Sequence, residues 1–457
     1  MKTTVWAALP TLLFLSTGRL QAAEPKTPER PNLVLIMADD FGYECLGANG
    51  GQSYRTPEID RLAATGIRFP NCHVQPLCTP TRAQLMTGRY NVRNYLNFGT
   101  LLRTETTFGH LLQRAGYATG ICGKWQLGHE SDSPQHFGFA ESCLWQQTRR
   151  PPRYANPGLE YNGVERDFTT GEYGPTLVND FALDFIGRHR DHPFFLYYPM
   201  VLTHDPFQPT PDSPDWDPKT RSEKEQKAVM HFAEMTAYMD RMVGRLVTKL
   251  EELSLRDNTL LIFLGDNGTH SSVTSRFNNA DFRGGKGSTT HRGTHVPCIV
   301  SWPSMIREGR VIPDLISSTD FLPTLCGAAG VIPPANIDGV SFLPRLRGEP
   351  GTPREWLYTW YSPRQSVDLT VKECAFDLHH KLYRTGQFFD LEVDTDEQSP
   401  ISVAQLEGAT ALAASKLQAA LDRFSDARPA QLDQQFQEDR PGNPAKSKKK
   451  KTHPPAP

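Results

Sequence analysis

The chain has 457 residues and a formal net charge of −2, which excludes a general nucleic-acid binder, whose surface is broadly basic. Its eight cysteines (45, 72, 78, 122, 143, 298, 326 and 374) are too sparse for a disulfide scaffold, and none shows the paired spacing of a zinc site. An anionic ligand would therefore have to meet positive charge placed locally.

Lys2, the apolar run VWAALPTLLFLST and the small residues of LQAA (Leu20 to Ala23) have the layout of a signal peptide over residues 1–23. An exported chain, periplasmic or secreted, follows as the expectation, with disulfides permitted. There is no cysteine beside the cleavage region to carry a lipid anchor. No later run approaches the roughly 20 apolar residues of a membrane span. At the other end, residues 426–457, closing on PGNPAKSKKKKTHPPAP, are expected to form a disordered basic tail, because they lack the apolar surface that would offset ordering.

Between these ends the runs NLVLIM (32–37), FFLYYPMV (194–201), TLLIFLG (259–265) and PCIVSW (297–302) are short, apolar and rich in strand formers. EIDRLAATG (58–66) and TFGHLLQRAG (107–116) read as helices. A long helix is expected from Glu223 to Leu253, with Val229, Phe232, Met239, Val243, Leu246, Leu250 and Leu253 as one apolar stripe for the core. Apolar strands alternating with helices predict an α/β fold: a large, mostly parallel mixed sheet covered by helices on both faces. Beyond residue 340 the runs EWLYTWY and HKLYRTGQFFDLEV suggest hairpins, and 402–424 reads as a helix. The expected organisation is a main domain over 24–340 and a small α+β domain over 341–425.

Ligands of open α/β sheets bind outside the carboxyl ends of the strands. Asp39 and Asp40 follow the first strand, Asp266 and Asn267 follow TLLIFLG, and His204 follows the 194–201 run. Either acidic pair alone is commonly a cap or a turn. Together, at matched strand ends, three carboxylates and an amide oxygen would repel one another unless a cation sat among them, and all-oxygen ligation favours Ca²⁺ or Mg²⁺. Asn267 opens NGT, a formal glycosylation acceptor, but a ligand buried at a strand end could not carry a glycan. Lys286 lies in the glycine-rich FRGGKGSTTHRG, which is not a Walker loop because Gly287 follows the lysine. Lys124 stands in CGKWQLGHE. Each lysine could present an ammonium to an anion, or could be an ordinary solvated side chain.

In CTPTR, Pro80 suits the first turn of a helix. A helix starting there puts Cys78 at its amino end, where free N–H groups favour an anion, and Arg82 on the same face, where its guanidinium could grip that anion. A disulfide between Cys78 and Cys72 would spoil this pocket and stays open as the alternative.

PNLVLIMADDFGY, CTPTRAQLMTGRY, GKWQLG, LIFLGDNG and RGGKG, in this order, resemble the sulfatases of the alkaline-phosphatase-like superfamily over roughly residues 30 to 400. CTPTR matches the family signature, usually written with serine where this chain has Thr81. The resemblance implies that Cys78 is oxidised by a formylglycine-generating maturation enzyme to an aldehyde whose hydrate attacks sulfate. It implies calcium on Asp39, Asp40, Asp266 and Asn267, with residue 78 as a further ligand. Arg82 would orient residue 78, Lys124 and Lys286 would neutralise sulfate oxygens, and His204 with Lys286 would protonate the leaving oxygen. Two further departures from the family matter. Gln126 stands where the family has a histidine, and an amide cannot take a proton. HRGTHVP replaces the family's EGGIRVP, so His291, Arg292 and His295 are expected at the mouth of the cleft, bearing on substrate choice.

The leading expectation is a sulfuric-ester hydrolase acting on sulfated carbohydrates or aryl sulfates. Two alternatives remain: a phosphodiesterase or phosphonate monoester hydrolase of the same superfamily, and a degenerate sulfated-glycan binding protein.

Overall fold

Strand β1 (Asn32–Ala38) is buried along its whole length. Leu33, Leu35 and Met37 pack into one hydrophobic core, while Val34, Ile36 and Ala38 pack into a second. The two cores lie on opposite faces of one sheet, as a continuous apolar run requires. In the computed structural model, residues 1, 3–4, 30–219, 229–365 and 369–438 are described. Most of the expected signal peptide and the lysine-rich end fall outside the described residues.

The other strands of this ten-stranded sheet are β2 (Ile67–Arg68), β3 (Ala118–Gly123), β4 (Glu141–Trp145), β5 (Gly158–Tyr161), β6 (Val164–Asp167), β7 (Phe194–Pro199), β8 (Thr259–Gly265), β9 (Cys298–Ser301) and β10 (Arg310–Val311). Their order across the sheet is β10-β2-β9-β8-β1-β7-β3-β4-β5-β6. The five central strands, β8 to β4, run parallel, while β9, β5 and β6 pair antiparallel with their neighbours. The α/β class with a large, mostly parallel mixed sheet is the one expected.

Helix α1 (Cys78–Thr87) lies on the first core through Ala83, Leu85 and Met86. It ends at Gly88, which takes φ 67°, a left-handed conformation that glycine adopts without penalty. Helix α2 (Gly174–Arg188) and the long helix α3 (His231–Glu252) cover the other face. On α3, Phe232, Met239, Val243, Leu246 and Leu250 are buried as the stripe predicts. The helix begins later than expected: Val229 precedes it and is exposed, and residues 223–228 lie outside the described residues.

A second, antiparallel sheet runs β11 (Leu357–Tyr361), β12 (Lys372–Phe376), β13 (His380–Tyr383), β14 (Gln387–Asp390) and β15 (Ile401–Ser402). Helix α4 (Gly408–Asp422) packs Leu417 and Leu421 against it, with Tyr90 and Tyr95 of the main body in the same core. Two boundaries differ from expectation. Phe342, Leu343 and Leu346 belong to the main sheet's core, so the chain does not leave that core at 341. Residues assigned to the disordered tail form helix α5 (Ala430–Glu438), because Leu432 and Phe436 recur four apart and are buried. No helix among the described residues is long and apolar enough to cross a membrane.

Candidate active site

Four adjacent parallel strands, β8, β1, β7 and β3, end at the same edge of the sheet, and each delivers polar side chains just past its last residue. β1 is followed by Asp39 and Asp40, β8 by Asp266 and Asn267, and β3 by Lys124 and Gln126. The loop after β7 brings His204. The strands behind them are mostly apolar and, apart from Ala118, buried, so the cluster stands on a rigid base.

Local backbone explains the placement. Gly123, at φ 119°, is the only residue type that fits, because a Cβ there would lie 1.9 Å from the Pro199 carbonyl oxygen. That approach lets Lys124 N–H donate to Pro199 O at 2.8 Å and turns the lysine inward. Lys124 Nζ donates to Asp39 Oδ2 at 2.6 Å. Asp40 takes φ 58° and its N–H donates to Asp266 Oδ1 at 3.1 Å, which ties the ends of β1 and β8 together. The Lys286 loop is stitched down, with Lys286 N–H donating to Thr269 O at 3.0 Å and Gly287 N–H to Pro76 O at 2.9 Å.

Cys78 is the first residue of α1, whose amino end points at the cluster. Its Sγ donates to Gln126 Oε1 at 3.0 Å. Thr79 Oγ1 donates to the Gln126 carbonyl at 3.3 Å, holding residue 126 at φ 57° beside the thiol. The Thr81 hydroxyl bridges both backbone groups of Gln75 at 3.0 and 3.2 Å, so its Oγ braces the approach to the helix as a serine hydroxyl in that position could. Arg82, 1 % exposed, donates to Asp266 Oδ2 at 3.0 Å and to the Lys124 carbonyl, and lies 3.9 Å from Asp39. Such a buried charge is tolerable only when paired in this way. All eight cysteines are free, so Cys78 is not bonded to Cys72.

Lys286 Nζ donates to Asp40 Oδ2 at 2.6 Å and lies 3.1 Å from His204 Nε2. His204 Nδ1 lies 2.6 Å from the Asp205 carbonyl. A carbonyl only accepts, so Nδ1 carries the hydrogen and Nε2 is free to accept from Lys286. Burial pushes the His204 imidazole down to about 4, with Lys124 and Lys286 adding to the shift against Asp40 and Asp39. Burial likewise raises the Cys78 thiol, and Asp266 and Asp39 raise it further against the pull of Lys124. The side chain is therefore a neutral thiol, a weak nucleophile.

The carboxylates are strained as a set. Burial favours the neutral form of Asp39, but Lys124, His204, Arg82 and Lys286 together outweigh it and hold the carboxyl well below its usual range. Asp266 is pushed up to about 7 by burial and by the charge of Asp39, against Arg82 and Lys124. Two buried oxygens in this cluster have no hydrogen-bond partner, Asp39 Oδ1 and Asn267 Oδ1, since Asn267 commits its nitrogen to Asp40 Oδ1 at 2.8 Å. Ligand atoms of Asp39, Cys78 and Asp266 lie within 4.8 Å of one another, as do those of Asp39, Asp40 and His204. Orphaned acceptors beside crowded carboxylates fit a hard divalent cation, which would satisfy both and lower Asp266.

The structure brings Asp39, Asp40, Cys78, Arg82, Lys124, Gln126, His204, Asp266, Asn267 and Lys286 together. It does not bring His291, Arg292 and His295 to the cavity above them. His295 stacks on Tyr43 and His73, and His291 packs on His73 and Phe376. Arg292 pairs with Asp396 and lies over Phe282. The two half-buried rings stack among aromatics between the two sheets and Arg292 is tied to Asp396, which corrects their expected place at the cleft mouth. The cavity, about 230 Å³, is lined instead by Cys78, Lys124, Gln126, His204 and Lys286 on one side and by residues of 145–153 on the other. The second group escapes a strand-end reading because β4, with Glu141 and Ser142, is not a continuous apolar run.

Comparison with known proteins agrees with this geometry. Residues 31–331 match the family model described as Sulfatase, and residues 288–423 match that of the N-sulphoglucosamine sulphohydrolase C-terminal region. The chain is 31% identical to N-acetylgalactosamine-6-sulfatase of Canis lupus familiaris, covering 87% of this chain and 86% of that one. It is 34% identical to human Arylsulfatase A over 77% of this chain and 73% of that one. The crystal structure of Ps i-CgsB in complex with k-i-k-neocarrahexaose superposes with a TM-score of 0.73 at 26% identity, covering 92% of this chain and 96% of that one. With a matching family model over most of its main domain and relatives of 31% and 34% identity aligned over 87% and 77% of its length, this chain belongs to the sulfatase family and is a sulfuric ester hydrolase.

Proposed function

We propose that the protein is exported, periplasmic or secreted, and removes sulfate from sulfated carbohydrates or aryl sulfates, with residue 78 matured to formylglycine and Ca²⁺ held by Asp39, Asp40, Asp266 and Asn267. The observation that carries this reading is the pair of orphaned oxygens on Asp39 and Asn267, one step from Cys78 at a helix amino end. The neutral thiol supports it too, because the site suits an oxygen nucleophile better than this sulfur. The names of the relatives support the substrate class, one a hexosamine sulfatase and one an arylsulfatase, as does a similar fold solved with a carrahexaose.

The matured residue supplies an oxygen nucleophile, and the cation supplies positive charge beside it. The chain's own side chains do the rest. Lys124 and Lys286, each balanced by one carboxylate beneath it, offer their remaining N–H groups to sulfate oxygens. Arg82 locks Asp266 and the Lys124 backbone, so the floor does not reorganise during reaction. The Lys286 ammonium, bridging Asp40 and His204 Nε2, holds the proton that the pair delivers to the leaving alcohol oxygen. Gln126 positions residue 78 by a hydrogen bond and exchanges no proton with it. The two-zinc phosphodiesterase alternative loses ground because the residue after Asp266 is an amide bonded to Asp40, where that layout needs an imidazole.

Mass spectrometry of the tryptic peptide Phe69–Arg82 from the native host is expected to show formylglycine at position 78. Sulfate release should be lost in Cys78→Ala. Cysteine in every copy would overturn the reading and favour a glycan-binding protein, while full activity in that variant would overturn residue 78 as the nucleophile.

A further inference from the structure

The cavity above the cluster contains no acidic residue in its lining. Four side chains of full positive charge face it: Lys124, Lys286, Arg150 and Arg153. An ester sulfate carries one negative charge, and the two lysines, with their carboxylates below, already serve it. Arg150 is not needed for that task, and it stands with Arg153 across the cavity on the segment after β4.

Arg150 is exposed and Arg153 half-buried, and their contacts differ from those of Arg149. Arg149, next in sequence, is neutralised outside the cavity by Glu165 at 3.1 Å and Asp167 at 2.8 Å. Arg150 has no ion-pair partner among the described residues. Arg153 places its guanidinium over the Trp145 ring, 4.3 Å from its centroid, a cation–π contact that steadies the side chain. Its Nη1 is 3.2 Å from His204 Nδ1, while Lys286 touches the other ring nitrogen. Arg153 thus lines the cavity beyond His204, at the ring edge opposite the one that faces Lys286.

Gln147 completes this wall. It lines the cavity, and its nitrogen is committed to Glu160 Oε1 at 3.1 Å. Its Oε1 is buried with no hydrogen-bond partner. A buried acceptor left open costs free energy unless a ligand satisfies it. What remains of Gln147 is therefore an acceptor for a sugar hydroxyl or amide N–H, beside donors for an anion.

We infer that Arg150, Arg153 and Gln147 form a second subsite that binds an additional acidic group, a sulfate or carboxylate, on the sugar being desulfated or on its neighbour. This rests on the sulfatase reading above and narrows it: the preferred substrate is a polyanionic glycan rather than a simple aryl sulfate. A cavity lined by one sign of charge selects in this way, because its field is focused between low-dielectric walls, and each bidentate guanidinium–anion pair adds geometric selection.

The test is binding, measured by calorimetry on the full-length Cys78→Ala protein, which is not expected to turn substrate over. The probes are a monosulfated hexosamine, its disulfated counterpart, and a monosulfated disaccharide carrying a uronate. The disulfated sugar or the uronate disaccharide is expected to bind at least about tenfold more tightly than the monosulfated one, and which of the two does so identifies the second acid. Adding Arg150→Ala should reduce that preference by about fivefold or more, with a weaker dependence on salt. Adding Gln147→Leu should weaken all three probes, since every one of them offers hydroxyl donors. Equal affinity for all three probes, or a preference untouched by Arg150→Ala in a protein with unchanged thermal midpoint, overturns the subsite. If the preference holds but the matured enzyme releases no sulfate from any probe, the functional reading fails and the subsite stands.

Discussion

Two buried clusters of charge make a useful comparison. One is the site at the edge of the main sheet. The other joins the two sheets: Lys381, 1 % exposed, donates to Glu397 Oε1 at 2.7 Å and to the Thr289 carbonyl. Tyr383 donates to the other Glu397 oxygen and lies 2.8 Å from Thr289 Oγ1. None of these four side chains has a buried atom without a partner. The active-site cluster, by contrast, leaves Asp39 Oδ1 and Asn267 Oδ1 open and crowds three carboxylates together. A charge network that is complete within the chain holds structure; one that is incomplete is waiting for something the chain does not supply. The two clusters are joined along the chain, since Thr289 lies three residues beyond Lys286.

The sharpest way to break this comparison is to remove one partner from each cluster. Lys381→Met strands Glu397 in the interior and should cost about 3–5 kcal/mol of stability, read as a lower urea midpoint. The double variant Lys381→Met with Glu397→Gln should recover a large part of it. A single variant as stable as the parent would mean that this cluster, too, is underfilled.

Asp39→Asn should do the opposite. It keeps an oxygen for Lys124 while removing the charge, so sulfate release should fall by about 10²–10³-fold, and the metal-free protein should lose less stability than Lys381→Met, because relief of the Asp39–Asp266 repulsion offsets part of the lost pairing with Lys124. Saturating Ca²⁺, at about 100 times its Kd, should stabilise the parent and Lys381→Met by about 2.7 kcal/mol, and Asp39→Asn far less. A large loss of stability with activity retained would recast the site as structural.

The smallest effect concerns the stacked histidines between the sheets. Burial pushes His291 down to about 3, helped by His295 and Lys381, and burial pushes His295 down to about 4. The folded state keeps both neutral, while an unfolded histidine takes a proton below about 6.5. The unfolded state thus binds more protons below that pH, so stability falls as pH drops from about 6.5 toward 4 and is flat above it on their account. His291→Phe should flatten that slope in thermal midpoints measured from pH 4 to 8. An unchanged slope would show that this contact plays no part in acid sensitivity.

Much of the site could be read without coordinates, and the reason is local. Asp39, Asp40, Asp266 and Asn267 follow long apolar strands, and a parallel sheet sends every strand end to one edge, so their meeting follows from strand identity alone. Cys78, Pro80 and Arg82 are set by helix geometry within one turn. The long stripe on α3 and the hairpins of the small sheet were legible for the same reason: period and turn chemistry are local properties.

What the linear pattern could not decide was where polar residues outside those periods would go. His291 and His295 read as cleft residues but stack half-buried between the sheets, because Tyr43, His73 and Phe376 come to them from distant parts of the chain, and Arg292 is drawn to Asp396 instead. Gln147, Arg150 and Arg153 looked like nothing in particular until β4 placed them across the cavity from Cys78. Helix α5 was hidden in a polar stretch whose two apolar residues gained a surface to cover only once the rest had folded. The sequence by itself determined which groups the sheet edge would gather, since that depends on strand ends. Only tertiary packing decided which of those groups were left unsatisfied and what stood opposite them, because both depend on neighbours that sequence distance does not reveal.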